Sequence, residues 1–543
     1  MQGVDDETYL LLIFTEQGMT RPTDIASKTH LQLALSCHAV NRQHCGRRGI
    51  AAVLLTIGLL LLQACGEGES SGGSAGASAG PTAELMVHHW NHVAIDASGL
   101  DHTPVQPGET RVFGEQFGPT KASRAMAIVH IAIFDAVNAI AGGYQSYTGI
   151  SPAPAGASMP AAIAQASRDT LTALFPSQAS SFDQQLADDL GTMAVGTAKT
   201  DGIAVGHSAA QTILTLRAND GSQLSYPEPK IGPNAGDFHP GDQPGQWRED
   251  PVSLKTVALG ANWGQVKPFV LQSASQFRIP PPPALDSTEY ATAFDEVKSF
   301  GGDGIHTPTV RTQEQTNIGL YWAYDGTPSL CAPPRLYNQI IVHIVDQEGT
   351  DAVQMARLLA LENVAMADAA IAVWESKYYY QFWRPVAGIR EADSGTGGAD
   401  PGAGPTLPGD GNPTTVADPT FMPLGAPASN LNPPNFTPPF PAYPSGHAGI
   451  GGAVFAVLRD FYGTDELPFT FVSDELNGTT KDADGSVRPL APRSFTTFSQ
   501  AAEENGQSRI YLGIHWAFDK DQGIAQGRQV GDYVFDNAFS PIR

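Results

Sequence analysis

The stretch Phe440-Pro-Ala-Tyr-Pro-Ser-Gly-His447, followed by an apolar run from Ala448 to Leu458, decides how this chain is interpreted. Pro444 disfavours helix in the residue before it, and Ser445 is a good N-cap, so the small residues that follow predict the start of a helix. Backbone N–H groups and the positive end of the helix dipole make such a start attractive to an anion. The stretch therefore predicts an anion-binding helix N-terminus beside His447.

Two cations lie upstream, in Lys377-Tyr-Tyr-Tyr-Gln-Phe-Trp-Arg384-Pro385, at the end of an apolar-periodic segment that begins near Asp351. Their spacing of seven residues is about two helical turns. We therefore expect Lys377 and Arg384 to project from one face of a helix that Pro385 ends.

A third cation and a second imidazole lie downstream, in Ser508-Arg509-Ile-Tyr-Leu-Gly-Ile-His515-Trp-Ala-Phe-Asp519. His515 and Asp519 are four residues apart, so on a helix the carboxylate reaches the imidazole as an orienting group. Each motif alone is common in purely structural roles. Three cations and two histidines together suit a multiply charged oxyanion.

The order of these three motifs resembles the vanadium-dependent haloperoxidases and their relatives, the type 2 phosphatidic-acid phosphatases and bacterial acid phosphatases. Five flanking stretches are similar to the chloroperoxidase branch in particular: Trp322–Gly326, Pro333–Asn338, Phe382–Pro385, Leu424–Asn430 and Pro438–Tyr443. The resemblance covers the chain from about Tyr321 to the C-terminus. It implies an all-α fold of two packed helical bundles with long irregular loops, like that of the haloperoxidases and acid phosphatases.

The resemblance also implies a vanadate (orthovanadate) cofactor, hydrogen peroxide and a halide as substrates, and a small organic molecule as halogen acceptor. His515 would bond the metal, and the oxygens would be bound by Lys377, Arg384, Ser445, Gly446 and Arg509. His447 would be the acid/base group, Lys377 would polarise peroxide, and a carboxylate at Asp325 would pair with Arg509. Trp374 and Phe440 would lie beside the halide.

Two other functions stay open on the residues alone. An acid phosphatase would use His515 as the nucleophile and His447 as the general acid, because phosphate and vanadate share their shape and similar charge. A non-catalytic oxyanion-binding lipoprotein is the third hypothesis, although binding alone does not need two histidines. The flanking stretches favour the haloperoxidase.

Composition and periodicity describe the rest of the chain. Hydrophobic residues at 41% and charged residues at 16% are typical of a globular protein, and the net charge of −24 argues against a nucleic-acid-binding surface. The segment from Val87 to about Leu216 has helical periodicity, and residues 122–138 are apolar almost all round, which predicts a buried helix with His130 as a hydrogen-bonded core histidine. His88, His89 and His92 have no carboxylate or cysteine nearby at ligand spacing, so we do not expect a metal site there.

Two segments rich in Gly, Pro and Asp predict long irregular connections, at 218–286 over the surface and at 393–437 beside the site. The first of them predicts a division of the chain. We expect an N-terminal helical half at 84–285 and a C-terminal half at 286–543 that carries the site.

The N-terminus resembles that of an exported bacterial lipoprotein. Arg47 and Arg48 precede a thirteen-residue apolar run, and Leu62-Gln-Ala-Cys65 resembles a lipobox. We therefore expect a signal region at 1–64, a flexible tether at 65–83, location in the cell envelope, and membrane contact only through a lipid anchor at Cys65. Cys331 would then be the one cysteine of the folded part, which leaves no partner for an internal disulfide.

Overall fold

Helices dominate the part of the chain that the structure, a computed structural model, describes, namely residues 80–397 and 408–542. Its thirteen α-helices, α1 to α13 in chain order, are Ala83–Asp101, Gly118–Ala141, Met159–Leu174, Ala179–Thr192, Thr197–Arg217, Thr288–Phe300, Gln313–Tyr321, Pro333–Glu348, Ala352–Tyr380, Pro385–Arg390, Gly446–Tyr462, Phe498–Tyr511 and Ala517–Asn537. Short 3₁₀ turns occur at Pro176–Gln178, Ser222–Ser225, Trp263–Gln265 and Asp474–Leu476. Strands β1 (Phe469–Phe471) and β2 (Arg493–Phe495) pair antiparallel. The predicted all-α class is confirmed.

Helix α9 lies at the centre of the fold. It begins at the N-cap Asp351, whose carboxylate accepts hydrogen bonds from the N–H groups of Val353 and Gln354. The helix is buried over most of its length and packs against α2, α11 and α13. Lys377 lies in its last turn, so the central helix carries a site lysine inside the protein.

Helix α2 contains the predicted buried segment. Among the helices that the structure describes, it is the one long and apolar enough to cross a membrane by length and composition, but 78% of that stretch is buried inside the protein. His130 lies in this core, and neither ring nitrogen has a hydrogen-bond partner among the described residues, so the prediction of a hydrogen-bonded histidine was wrong. Burial among apolar side chains lowers the pKa of His130 to about 3, so the ring is neutral.

The connection at 218–286 is irregular, as predicted, but it does not lie only over the surface. Trp247 and Trp263 within it are buried. The carboxylate of Asp368 on α9 accepts three consecutive backbone N–H groups of this connection, those of residues 269–271, at 2.6, 2.8 and 2.9 Å. This clamp fixes the connection against the central helix.

Several expectations lie partly or wholly outside the described residues. These are the signal region, Cys65, most of the tether, and residues 398–407 of the long loop at 393–437. The chain from Gly80 onward forms one compact unit, and the division into two halves at residue 285 stays a prediction. No group of three metal-ligating side chains occurs in the described ranges. The premise that no carboxylate lies near these histidines was wrong, because Asp96, four residues after His92, lies 3.1 Å from that ring, and Asp346 lies 3.0 Å from His88.

Candidate active site

Helix α11 begins where the sequence predicts. Ser445 is its N-cap, with extended backbone angles of φ −68° and ψ 126°, and its hydroxyl accepts a hydrogen bond from Ala448 N–H at 3.4 Å. A Cβ on Gly446 would lie 3.2 Å from the Trp374 indole, so glycine lets the helix start approach this ring closely. The start of α11 is therefore packed tightly against α9.

Lys377 joins α9 to the segment before α11. Its ammonium group is fully buried and donates to the backbone carbonyls of Pro441, Ala442 and Pro444 at 2.7, 2.9 and 2.5 Å. Burial, assisted by the positive charge of Arg384, lowers the pKa of Lys377 well below its usual range. A nearby anion would oppose both effects and favour the charged form.

Arg384 reaches the site by a route that the spacing did not predict. Helix α9 ends at Tyr380, and Gln381 adopts a left-handed conformation with φ 50°. Arg384 is the extended N-cap of the short helix α10, and Pro385 is the first residue of that helix. The prediction of one helical face shared with Lys377 and ended by Pro385 was therefore wrong.

The guanidinium of Arg384 nevertheless lies at the same place. Its Nε donates to the Phe440 carbonyl and its Nη1 to the Ile514 carbonyl, both at 2.9 Å. Nη1 also lies 2.9 Å from Nε2 of His515. Because an arginine can only donate, Nε2 of His515 is the acceptor in this contact.

His515 is oriented by Asp519, as the spacing predicted, although the contact forms at the start of α13 and not along a helical face. Its Nδ1 lies 2.8 Å from Oδ2 of Asp519, so Nδ1 carries the proton. The same Oδ2 accepts the N–H of Trp516, and the Asp519 backbone carbonyl accepts the N–H of Ser445 at 2.9 Å. Asp519 thereby joins the starts of α11 and α13.

The protonation state of His515 follows from these contacts. Burial and then the neighbouring charge of Arg384 lower the pKa of His515 well below its usual value, so the ring is neutral. Its Nε2 presents a lone pair, and its Nδ1–H is held by a carboxylate. This is the arrangement of a histidine that ligates a metal centre.

His447 has the opposite arrangement of its ring nitrogens. Nε2 lies 2.6 Å from the Ala323 carbonyl oxygen, which can only accept, so Nε2 carries the proton and Nδ1 has the lone pair. Burial and then the charge of Arg509 lower the pKa of His447 well below its usual value. The neutral ring is therefore a base at Nδ1.

Arg509, on α12, forms the expected pair with Asp325. Its Nη2 donates to both carboxylate oxygens at 2.7 and 2.9 Å, and Oδ1 of the same carboxylate lies 4.0 Å from Nε2 of His447. Burial raises the pKa of Asp325, and the charge of Arg509 opposes that shift. Asp325 thus lies between the guanidinium and the acid/base candidate.

Three guanidinium nitrogens of the two site arginines have no hydrogen-bond partner among the described residues. Nη2 of Arg384 and both Nε and Nη1 of Arg509 are buried, and no atom of the described residues accepts from them. A buried donor without an acceptor is costly, and for a charged group the cost is larger. These donors, with the α11 start and the lone pair of His515, fit a tetrahedral oxyanion such as vanadate or phosphate.

The two aromatic residues assigned to the halide lie next to each other. The ring centroids of Trp374 and Phe440 are 4.9 Å apart, and Nζ of Lys377 lies 5.6 and 5.1 Å from them. Both rings are buried, and Phe440 retains 8% of its surface exposed. They form an apolar wall directly beside the site lysine.

Sequence reasoning missed the groups that hold these side chains in place. The Ala323 carbonyl fixes the His447 tautomer, and the side chains of Tyr337 and Asn505 donate to the His447 carbonyl at 3.2 and 2.9 Å. Backbone carbonyls have no signature in residue type. Tyr337 and Ala323 lie in the flanking stretches Pro333–Asn338 and Trp322–Gly326, but only the Tyr337 side chain carries a signal in its residue type.

Comparison with known proteins shows which family the chain resembles. The family described as the VCPO second helical-bundle domain matches residues 357–543. The vanadium chloroperoxidase of Curvularia inaequalis is 31% identical over 506 residues, which cover 79% of this chain and 78% of that protein.

Solved haloperoxidase structures share the fold of this chain. The first bacterial vanadium-dependent iodoperoxidase superposes with a TM-score of 0.63 at 25% identity, over 83% of this chain and 97% of that one. A holo-type bacterial vanadium-dependent chloroperoxidase has a TM-score of 0.57 at 18% identity, over 79% and 94% of the two chains, and supports the fold alone.

Proposed function

This chain belongs to the vanadium-dependent haloperoxidase family, and from that premise we propose which of its residues hold vanadate and which move the proton. The chain is a haloperoxidase that uses a vanadate cofactor, hydrogen peroxide and a halide. The observation that carries the residue assignment is the pair of contacts of the His515 ring. Nδ1 lies 2.8 Å from Oδ2 of Asp519, and Nε2, which holds the lone pair, accepts from Arg384 at 2.9 Å and would exchange this contact for the metal. His515 would be the single protein ligand of the metal.

The oxygens of vanadate would be bound by the charged and backbone donors around that lone pair. Arg384 and Arg509 supply the three unpartnered N–H groups, and Ser445 and Gly446 supply the start of α11. Lys377 adds a third cation. Vanadate supplies a Lewis-acid centre that activates hydrogen peroxide towards a halide without needing to change its oxidation state.

His447 would receive a proton of hydrogen peroxide at Nδ1. The ring is neutral and its Nε2–H is held by the Ala323 carbonyl, so Nδ1 is the available base. Asp325, 4.0 Å from Nε2, would stabilise the imidazolium that forms. Returning the same proton to the departing oxygen would restore the neutral ring.

Lys377 would polarise bound peroxide, and the wall formed by Trp374 and Phe440 would face the halide. A large, weakly hydrated anion suits a position between an apolar wall and a cation. The anion loses little hydration free energy when it moves against the wall, and the cation attracts it. The product would be hypohalous acid or a halogenated small organic molecule.

The test is halogenation of a β-diketone dye by the purified protein, stripped of oxyanions and supplied with peroxide and bromide or chloride. We expect activity only after orthovanadate is added, and none in His515→Ala. His207→Ala is the matched control, because the His207 side chain is 65% exposed and lies on the surface helix α5. Halogenation that survives in His515→Ala would refute the ligand assignment.

The phosphatase alternative uses the same residues and is not favoured by the relatives. It predicts release of phosphate from an aryl phosphate in the absence of vanadate, with inhibition by vanadate. Such release without any halogenation would move the protein to the phosphatases and leave the oxyanion site in place.

We also propose that the protein is exported as a bacterial lipoprotein of the cell envelope, anchored through Cys65. The support is the sequence before and after that residue, which lies outside the described part of the chain. Mass spectrometry of the protein from membranes should find an N-terminal diacylated cysteine, and Cys65→Ala should release the protein from membranes. Membrane association unchanged in Cys65→Ala would contradict the anchor.

A further inference from the structure

Trp374 is held between two glycines from distant parts of the chain. At one edge, a Cβ on Gly446 would lie 3.2 Å from the benzo ring of the indole. At the other edge, a Cβ on Gly260 would lie 2.4 Å from both Cδ1 and Nε1. A distance of 2.4 Å is far below van der Waals contact, so any side chain at residue 260 requires the indole to move.

Gly260 belongs to a turn, Leu259–Gly260, that also binds the residues around Phe440. The Leu259 carbonyl accepts from Nε1 of Trp374 at 3.1 Å, and the Leu259 N–H donates to the Pro439 carbonyl at 3.0 Å. Leu259 therefore contacts Trp374 directly and also binds Pro439, the residue before Phe440.

The position of the turn is itself fixed by a buried ion pair. Gly260 N–H donates to Oε2 of Glu228 at 2.9 Å, and Oε1 of Glu228 lies 3.5 Å from Nζ of Lys121. The two side chains are only 11% and 10% exposed. Gly260 has φ +75°, a conformation that glycine adopts without strain.

We propose that Gly260 is a specificity-determining residue. By fixing the Trp374 ring against the start of α11, it sets how much space the apolar wall leaves for the halide. This inference rests on the proposed function, because the wall is assigned to the halide there. A larger residue at 260 would push the indole towards Gly446 and Lys377, which reduces the space for the larger halides first. Gly260 acts through Trp374, so it is a positioning residue for the ring that lines the site.

The test is a comparison of Gly260→Ala with Gly142→Ala. Gly142 has nearly the same backbone angle, φ +74°, but nothing lies within 4 Å of the Cβ position. Both substitutions place an alanine at a positive φ, where a side chain is strained, and only the first also creates a clash. We expect Gly260→Ala to lower the iodide-to-bromide ratio of kcat/KM by roughly tenfold, as for a change of about one methylene in a pocket.

Orthovanadate affinity separates this effect from damage to the cofactor site. The dissociation constant, measured by equilibrium dialysis, should change less than the halide ratio does in Gly260→Ala, because His515, Arg384 and Arg509 lie on elements other than the helix of Trp374 and the turn of residue 260. An unchanged halide ratio, equal to that of Gly142→Ala, would overturn the proposal. Wild-type protein that binds vanadate but never halogenates would instead reject the proposed function.

A double-mutant cycle with Trp374→Leu tests the contact without any activity. If the clash with the indole is the cause, the smaller leucine removes it, and the loss of melting temperature in Gly260→Ala/Trp374→Leu is smaller than the sum of the two single losses. If Gly260→Ala does not fold, recovery of a folded protein in the double variant is the supporting result. Additive losses, or a double variant as unfolded as Gly260→Ala, would overturn the proposal.

Discussion

Replacing Asp519 by asparagine should weaken vanadate binding although Asp519 is not expected to touch the cofactor. The carboxylate oxygen Oδ2 accepts Nδ1–H of His515 at 2.8 Å and Trp516 N–H at 3.0 Å. An asparagine oxygen keeps these acceptor contacts without the charge. If the amide instead turns its NH₂ towards His515, the ring must move its proton to Nε2 and lose the lone pair that would bond the metal.

The magnitude follows from the strength of that hydrogen bond. At a pH above about 7, where Asp519 is ionised, a hydrogen bond to its charged carboxylate contributes about 1.5–3 kcal/mol, which corresponds to roughly 10- to 100-fold in a dissociation constant. Loss of an outer partner of a metal-ligating histidine costs a similar roughly 10- to 100-fold in affinity. Both arguments predict the same range for Asp519→Asn.

Equilibrium dialysis against orthovanadate measures this directly, with Asp521→Asn as the matched control. Asp521 lies on the same helix, its side chain is 64% exposed, and its ion-pair partner at 3.4 Å is Lys520. The control should bind like wild type. An Asp519→Asn protein that also binds within about threefold of wild type would refute the role assigned to this carboxylate.

The pH dependence of stability gives a second readout for the same variant. Burial raises the pKa of Asp519 to about 7, from 3.8 in the unfolded chain. The contribution of this carboxyl to stability is therefore full below pH 3.8 and is lost as the pH rises through 7. Asparagine does not titrate, so the melting temperature of Asp519→Asn should improve relative to wild type between pH 5 and about 8.

Other substitutions separate binding from proton transfer and from folding. His447→Ala should keep orthovanadate affinity within about threefold while kcat falls roughly 10²- to 10⁴-fold in steady-state assays, because only the base is lost. The lowered pKa of His447 keeps its ring neutral well below pH 6.5, so the wild-type rate should not fall as the pH is lowered through 6.5. A fall with its midpoint near pH 6.5 that is absent in His447→Ala would contradict the neutral-base assignment. Arg488→Met leaves Glu475 buried without the cation that it contacts and should cost about 3–5 kcal/mol of unfolding free energy in urea titrations.

The start of α11 could be predicted from sequence because the signals are local. Proline, serine and small residues act on their immediate neighbours, so the N-cap at Ser445 follows from their order. The meeting of Lys377 and Arg384 was predicted for an incorrect reason. Gln381 takes a left-handed conformation without the glycine that usually marks it, so the end of α9 had no local signal.

Backbone carbonyl partners from distant parts of the chain could not be predicted. His447 is bound by a carbonyl 124 residues away, and Trp374 by a carbonyl 115 residues away. Any residue type supplies a carbonyl, so only the folded chain shows which one is used. His130 was misjudged for a related reason, because periodicity places a residue in the core without showing which polar partners reach it.

The unpartnered guanidinium nitrogens of Arg384 and Arg509 have a consequence for the protein in its surroundings. They recognise the shape and charge of an oxyanion, and phosphate has both. Only the bond to His515 distinguishes a metal centre from phosphorus. Phosphate should therefore act as a competitor, and the loaded fraction of the protein should follow the ratio of vanadate to phosphate in the medium, with the two affinities as weights. The abundance of a nutrient would thus set how much of the protein is active, even at a constant supply of vanadium.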